Sequence, residues 1–375
     1  MNKYFSLIQF TICFFGFCLF GQEIPPFFGV KPAAYKAENQ NWSITQDQNK
    51  IIYVANNEGL LRYNGSQWKL YPSPNETILR SVKAIDEKIY TGAFMDFGFW
   101  EYDKKGDLKY TSIVNNKGLE LIEDEQIWNI LHYNDWVLFQ SFHAIYIYNP
   151  KTRDLKSFEV DGTILKSFII NGQSVYFQNL NNGLFEVLNG KPKLISDHEL
   201  FKKEPIINLF SSLNNNQEVI VHTQNKGFFK WNSFTDEISK WEIFNNEKLQ
   251  NITIYSSFQL KNGDFVLGTI SNGLIVVDKN GTFLYHLNQE NGLLNNTVLS
   301  VFEDFDHNIW VGLDNGINCV NHNSSIKIFN DNKGKLGTVY AAILYNENLY
   351  LGTNQGLFCK KYKDCLLYTS DAADD

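Results

Sequence analysis

Six side chains carry the chemistry that a binding site would need: Trp42, Arg80, Trp128, Lys166, Asn208 and Tyr255. Each opens a short apolar run and stands one place before Ser43, Ser81, Asn129, Ser167, Leu209 or Ser256, with Leu299 before Ser300 as a seventh copy. Aromatic faces stack on the apolar faces of sugar rings. Arg and Lys pair with carboxylate or sulfate groups, Arg bidentately. Arg80 is conspicuous because the chain has only three arginines. The competing structural role is packing of the two indoles between neighbouring sheets, with Arg80 and Lys166 solvated or paired to acids.

Catalytic patterns are missing. The seven histidines (132, 143, 198, 222, 286, 307 and 322) show no H-x-H or H-E-x-x-H spacing. There is no G-x-S-x-G and no Gly-rich phosphate loop. "DFDHN" at 304–308 spaces Asp304, Asp306 and Asn308 like the start of a calcium loop, without the Gly and distant Glu that complete one, and reads as a hairpin turn. The sequence therefore predicts no enzyme, no metal and no cofactor. A second set of polar turn residues, Asp96, His143, Asn182, Gln224, Asn272 and Asp314, ranks below the ring, because Asn and Asp suit turns for backbone reasons alone.

What must position the six residues is a repeat. "IWVGLDNGIN" at 309–318 has counterparts at 52–63, 89–102, 137–148, 175–187, 219–231, 265–277 and 349–360. The residues opening the second half of each are Gly59, Gly98, Ala144, Gly183, Gly227, Gly273, Gly316 and Gly356, spaced by roughly 42 residues, the period of four-stranded propeller blades. Strand-like runs alternate with Asn/Asp/Gly turns and show no helical period. The expected fold is all-β: a seven-bladed β-propeller of four-stranded antiparallel blades over 22–335, then the first blade of a second propeller at 336–364. In the seventh blade, "INCV" and "IKIF" read as the third and fourth strands. An eight-bladed ring is the alternative. In such a ring the first strands line the central channel, which would gather the six residues at one mouth.

The remaining features concern export and partners. Residues 1–21 read as a signal peptide, with an uncleaved membrane anchor as the rival. The last eleven residues, 365–375, read as a translated sequencing adapter. A net charge of −8 without basic blocks argues against nucleic-acid binding. Cys319 and Cys359 read as small core residues, at repeat positions too far apart for a disulfide.

"IWVGLDNGIN" and "LYLGTNQGLF" resemble the two-component-regulator propeller repeat of Bacteroidetes sensors. The stretches 35–82, 89–113 and 125–148 resemble the start of flavobacterial triple-tyrosine-motif regulators, and the likeness spans 22–364. The resemblance implies a periplasmic sensor propeller of a regulator anchored in the inner membrane. It also implies a carbohydrate-derived or other nutrient ligand at the propeller face, and a C-terminal output module (helix-turn-helix or histidine kinase) that this sequence lacks. A homodimer of the full-length protein is a further expected partner. A secreted propeller lyase or glycosidase, recruiting Glu125 and His143, and a protein-binding scaffold are the alternatives.

Overall fold

Runs such as Ile309–Leu313 are β-branched and aromatic, and turn residues stop them after about five positions, so each repeat can only bury its faces by stacking on a neighbour. The computed structural model describes residues 23–170, 172, 174–212, 217–241, 252–329 and 336–361. The expected signal peptide and adapter tail lie outside the described residues. The described residues fall into two compact units, Ile24–Ile326 and a second that includes the strands from Val339 to Lys361. No described helix is long and apolar enough to cross a membrane.

Ile24–Ile326 contains seven four-stranded antiparallel sheets. Their first strands are Asn41–Gln46, Leu79–Ile85, Asn129–Tyr133, Ile164–Ile170, Ile206–Ser211, Ile254–Gln259 and Val298–Glu303. Each first strand contacts that of the next blade, and Val298–Glu303 contacts Asn41–Gln46, so the ring closes at seven. The core lies between blades. Tyr53, Leu60, Leu79 and Trp100 pack blade one on blade two, while Ile44, Val54, Trp310 and Ile317 pack blade seven on blade one.

The closing blade corrects the sequence reading. Its fourth strand is Phe27–Val30 from the N-terminal end, paired with Ile317–Val320, and not 326–329. Phe28 sets its ring edge-on to Trp310 at 6.1 Å. Joining the two ends of the unit in one sheet ties the ring shut through backbone hydrogen bonds. Residues 326–329 have the right composition for a strand, but composition does not select the pairing partner.

The second unit holds a three-stranded antiparallel sheet, Val339–Tyr345, Asn348–Thr353 and Gly356–Lys361. It repeats the local signature of the blades, with a bulge at Tyr340 and Gly352 opposite Ala341, and is the first blade of a second propeller. Its first strand is exposed throughout. Cys319 is buried, as expected. Cys359 is exposed, because its sheet has no second layer among the described residues of its unit.

Turn chemistry also settles "DFDHN". Asp304 is buried, and its carboxylate accepts from the Asp306 and Asn308 backbone N–H groups, Asn308 Nδ2 and Trp310 Nε1. Asp47 plays the same part in blade one, accepting from Asn49 N, Ile51 N and the Tyr53 hydroxyl. Both carboxylates are consumed in bracing a hairpin against an aromatic side chain of the second strand.

Candidate functional site

The position of each candidate is set by a β-bulge. In blades one, two, six and seven the register slips across Trp42, Arg80, Tyr255 and Leu299, so each is the extra residue of its strand. Trp128 stands at the same place, just before the strand Asn129–Tyr133, with its N–H on the Gln140 carbonyl. Bulges re-aim side chains at sheet ends, here at the end where the second and third strands turn.

In blades four and five the slip falls one residue earlier, across Leu165 and Ile207. Lys166 and Asn208 are therefore not level with Trp42 and Arg80, which corrects the expected ring. They occupy the next row, with Ser43, Ser81, Asn129, Ser256 and Ser300. Aligning the repeats on Ser167 and Leu209 missed the extra residue.

Trp42, Arg80 and Trp128 converge. The Arg80 guanidinium carbon lies 4.1 Å from the Trp42 ring centre and 4.7 Å from that of Trp128. The two indoles meet edge to face at 6.1 Å and 81°. Trp128 stacks on Phe142 at 5.2 Å. A relay of side chains fixes Trp42: its Nε1 donates to Asn57 Oδ1 (2.7 Å), Asn57 Nδ2 to Gln40 Oε1 (2.9 Å) and Gln40 Nε2 to Asp314 Oδ1 (2.6 Å). Arg80 Nε donates to Gln126 Oε1 at 3.0 Å. Arg80 Nη1 and Trp128 Nε1 are buried without a hydrogen-bond partner.

Among the described residues, no carboxylate pairs with the Arg80 cation. Burial pulls its pKa down, and Tyr255, across the ring in blade six, is the one ionisable group acting the other way. Tyr255 is 37% exposed and completes the mouth. Farther along the first strands, burial lowers the pKa of Lys83 and takes that of Lys166 down to about 8. The only carboxylate on the seven first strands is Glu303, at the far end, where it binds Lys261 N and His307 Nδ1. The channel is thus cationic in a chain of net charge −8.

The lower-ranked turn residues do not form one site. Asp96 accepts from Tyr110 and Ser112, Asn182 donates to the Asp161 carbonyl, and Asp314 belongs to the relay above. His143 lies 3.8 Å from Glu125, whose two buried carboxylate oxygens have no hydrogen-bond partner. Among the described residues no group of three or more His, Cys, Asp or Glu could hold a metal. A cleft of about 340 Å³ lies elsewhere, between blades five and six at the opposite end of the strands, beside the Lys230–Glu218 ion pair. Sequence reasoning missed Gln126, Asn57 and Phe142. The one signal for Phe142 in the sequence is an aromatic residue in a turn.

Fold and site together describe a closed seven-bladed propeller with an aromatic, cationic channel mouth. Residues 292–315 match the family model described as "Two component regulator propeller". No curated protein matches. Among solved structures, the chain is similar to the extracellular domain of BT4673 from B. thetaiotaomicron, described as a one component system, with 22% identity and a TM-score of 0.63 over 91% of this chain and 48% of that one. It is also similar to the extracellular domain of BT3049 from the same organism, described as a hybrid two component system, with 17% identity and a TM-score of 0.64 over 90% and 48%. A streptogramin B lyase follows, at 13% identity and a TM-score of 0.60 over 81% and 98%. The chain spans about half the length of the two extracellular domains. At these identities the likeness establishes the propeller fold.

Proposed function

We propose that this chain is the extracytoplasmic ligand-sensing propeller of a membrane-spanning signal-transduction or transcriptional regulator. A small carbohydrate-derived or other nutrient ligand binds at the mouth formed by Trp42, Arg80, Trp128 and Tyr255. One observation carries the reading: a guanidinium is held between two indoles, tied by Nε to Gln126, with no partner on Nη1. Such an arrangement leaves a preorganised donor edge beside apolar faces. The apolar N-terminal segment and the likeness to extracellular domains of bacterial regulators support export and a sensory role. The ligand would act by favouring one arrangement of the longer protein over another.

Tryptophan fluorescence during titration with a panel of neutral and acidic mono- and oligosaccharides tests the site. The reading predicts saturable quenching that Arg80→Ala and Trp128→Ala each weaken about tenfold or more. Unchanged affinity in both variants rejects the mouth. The orphaned Glu125 beside His143 is the single observation favouring a secreted enzyme. Turnover of a panel sugar that disappears in Glu125→Gln would establish that second reading instead.

A further inference from the structure

The row of residues just below the mouth holds it in place. Ser43 Oγ donates to the Val82 carbonyl, Ser81 to Ile127, Ser256 to Val298 and Ser300 to Asn41. Asn129 Nδ2 donates to the Ser167 carbonyl and Asn208 Nδ2 to that of Ser257. In each case a side chain of one blade reaches a backbone carbonyl at the first strand of the next. Ser43, Ser81 and Ile127 are the chain neighbours of Trp42, Arg80 and Trp128, so these bonds fix the three backbones that meet at the guanidinium. Gln126 is fixed as well: it bridges to Phe94, and Ile127 N donates to the Ala93 carbonyl. The cluster is set before any ligand arrives.

Within it, the hydrogen-bonding capacity of Arg80 is largely unused. Nε donates to Gln126, Nη1 is buried without a partner, and Nη2 meets no acceptor among the described residues. Trp128 Nε1 is a second buried donor without a partner. Three carboxylates at the same end of the blades face elsewhere. Asp314 accepts from Gln40, Asp96 accepts from Tyr110 and Ser112, and Glu125 is buried 3.8 Å from His143. The first strands add two further cations, Lys83 and Lys166, and neither pairs with an acid among the described residues.

A cation partly withdrawn from water and left without an anion is complementary to a ligand that brings one. The planar fork of Arg suits a carboxylate, and the indoles on either side offer apolar faces to a ring. A carboxylate carried on a pyranose ring is the chemistry of a uronic acid. We propose that the mouth selects acidic saccharides, binding a hexuronate whose carboxylate lies on the Nη edge of Arg80 and whose ring lies on the face of Trp42 or Trp128. This inference rests on the reading of the mouth as the ligand site and names the charge of the ligand it takes.

Isothermal titration of the purified protein with matched sugars tests it: glucose and glucuronic acid, mannose and mannuronic acid, galactobiose and digalacturonic acid. At least one acid should bind about tenfold or more tightly than its neutral partner, the scale of one charge-assisted pair. Arg80→Gln should bring the two within about twofold. Arg80→Lys keeps the charge without the fork and should retain part of the preference, with circular dichroism confirming the fold of both variants. Raising salt from about 50 to about 500 mM should weaken the acid and leave the neutral sugar unchanged. Neutral sugars that bind as tightly as their acids, and weaken in Trp128→Ala, overturn the selection for acids and leave the mouth as the site. No saturable binding by any member overturns both. A preference for acids undiminished in both Arg80 variants, or acetate binding as tightly as the uronate, overturns the proposal too.

Discussion

Blades one, two, six and seven solve the crowding at the channel differently from blades three, four and five. In the first group a serine faces a residue with little or no side chain: Ser43 opposite Ala55, Ser81 opposite Gly92, Ser256 opposite Gly268 and Ser300 opposite Gly312. In the second, long polar residues face each other: Asn129 and Gln140, Lys166 and Gln178, Asn208 and His222. Small with small leaves just enough room for a hydroxyl to reach the next blade. Long with long reaches farther and lets the second strand join the bridging. Pair volume differs between the two groups, and where it is small a side chain of the next blade fills the space, as Ile127 does at Gly92 and Val298 at Gly268. The cost of the second solution is that each long polar side chain needs a partner, and Lys166 and His222 are the two without one.

The comparison can be broken from either side. The largest effect is expected at Gln178, whose removal in Gln178→Ala orphans the Phe201 and Glu204 carbonyls and Ile206 N. Urea denaturation should register a loss of about 3 kcal/mol. A loss below about 1 kcal/mol would mean that water replaces the amide and that the long-with-long blades are not held by their glutamines.

Gly312→Ala attacks the other group. A Cβ there would lie 2.3 Å from Ser300 Oγ and 2.5 Å from the Asn41 carbonyl, which belongs to the next blade. Overpacking should cost about 1–3 kcal/mol, read as a lowered denaturation midpoint. Blade one already carries Ala55 at this place, so the opposite change, Ala55→Gly, should be far milder. Ser300→Ala removes one hydrogen bond at 3.2 Å and should cost only about 1 kcal/mol.

Lys166 gives the most diagnostic change, in a pH profile. Its folded pKa of about 8 lies below the ordinary 10.5. Between those values the unfolded chain holds a proton that the folded chain does not, so wild-type stability relative to Lys166→Met should fall as pH drops from 10.5 to 8 and level off below. A flat difference across that window would mean that the ammonium is fully solvated in the channel.

Much of this architecture was legible because a repeat reports the same fact many times. Turn glycines such as Gly273, at φ +80° with its would-be Cβ 2.1 Å from the Leu287 carbonyl, mark every blade but the third, which has Ala144. Arg80 and its two tryptophans stood out by rarity and by position. The closure by Phe27–Val30 did not, because a strand's pattern says that it pairs and not with what, and its partner is some 290 residues away. The displacement of Lys166 and Asn208 from the mouth was hidden for a related reason. A bulge adds one residue without changing composition, and only the register at Leu165 and Ile207 exposes it.

The most direct test of the central claim is a crystal structure of the protein with a ligand found in the saccharide screen. The account predicts density over the Trp42 and Trp128 faces, with a polar group of the ligand on Arg80 Nη1 and Tyr255 at its edge. Density in the cleft beside Lys230 and Glu218, or on the outer rim with the mouth unchanged, would contradict it.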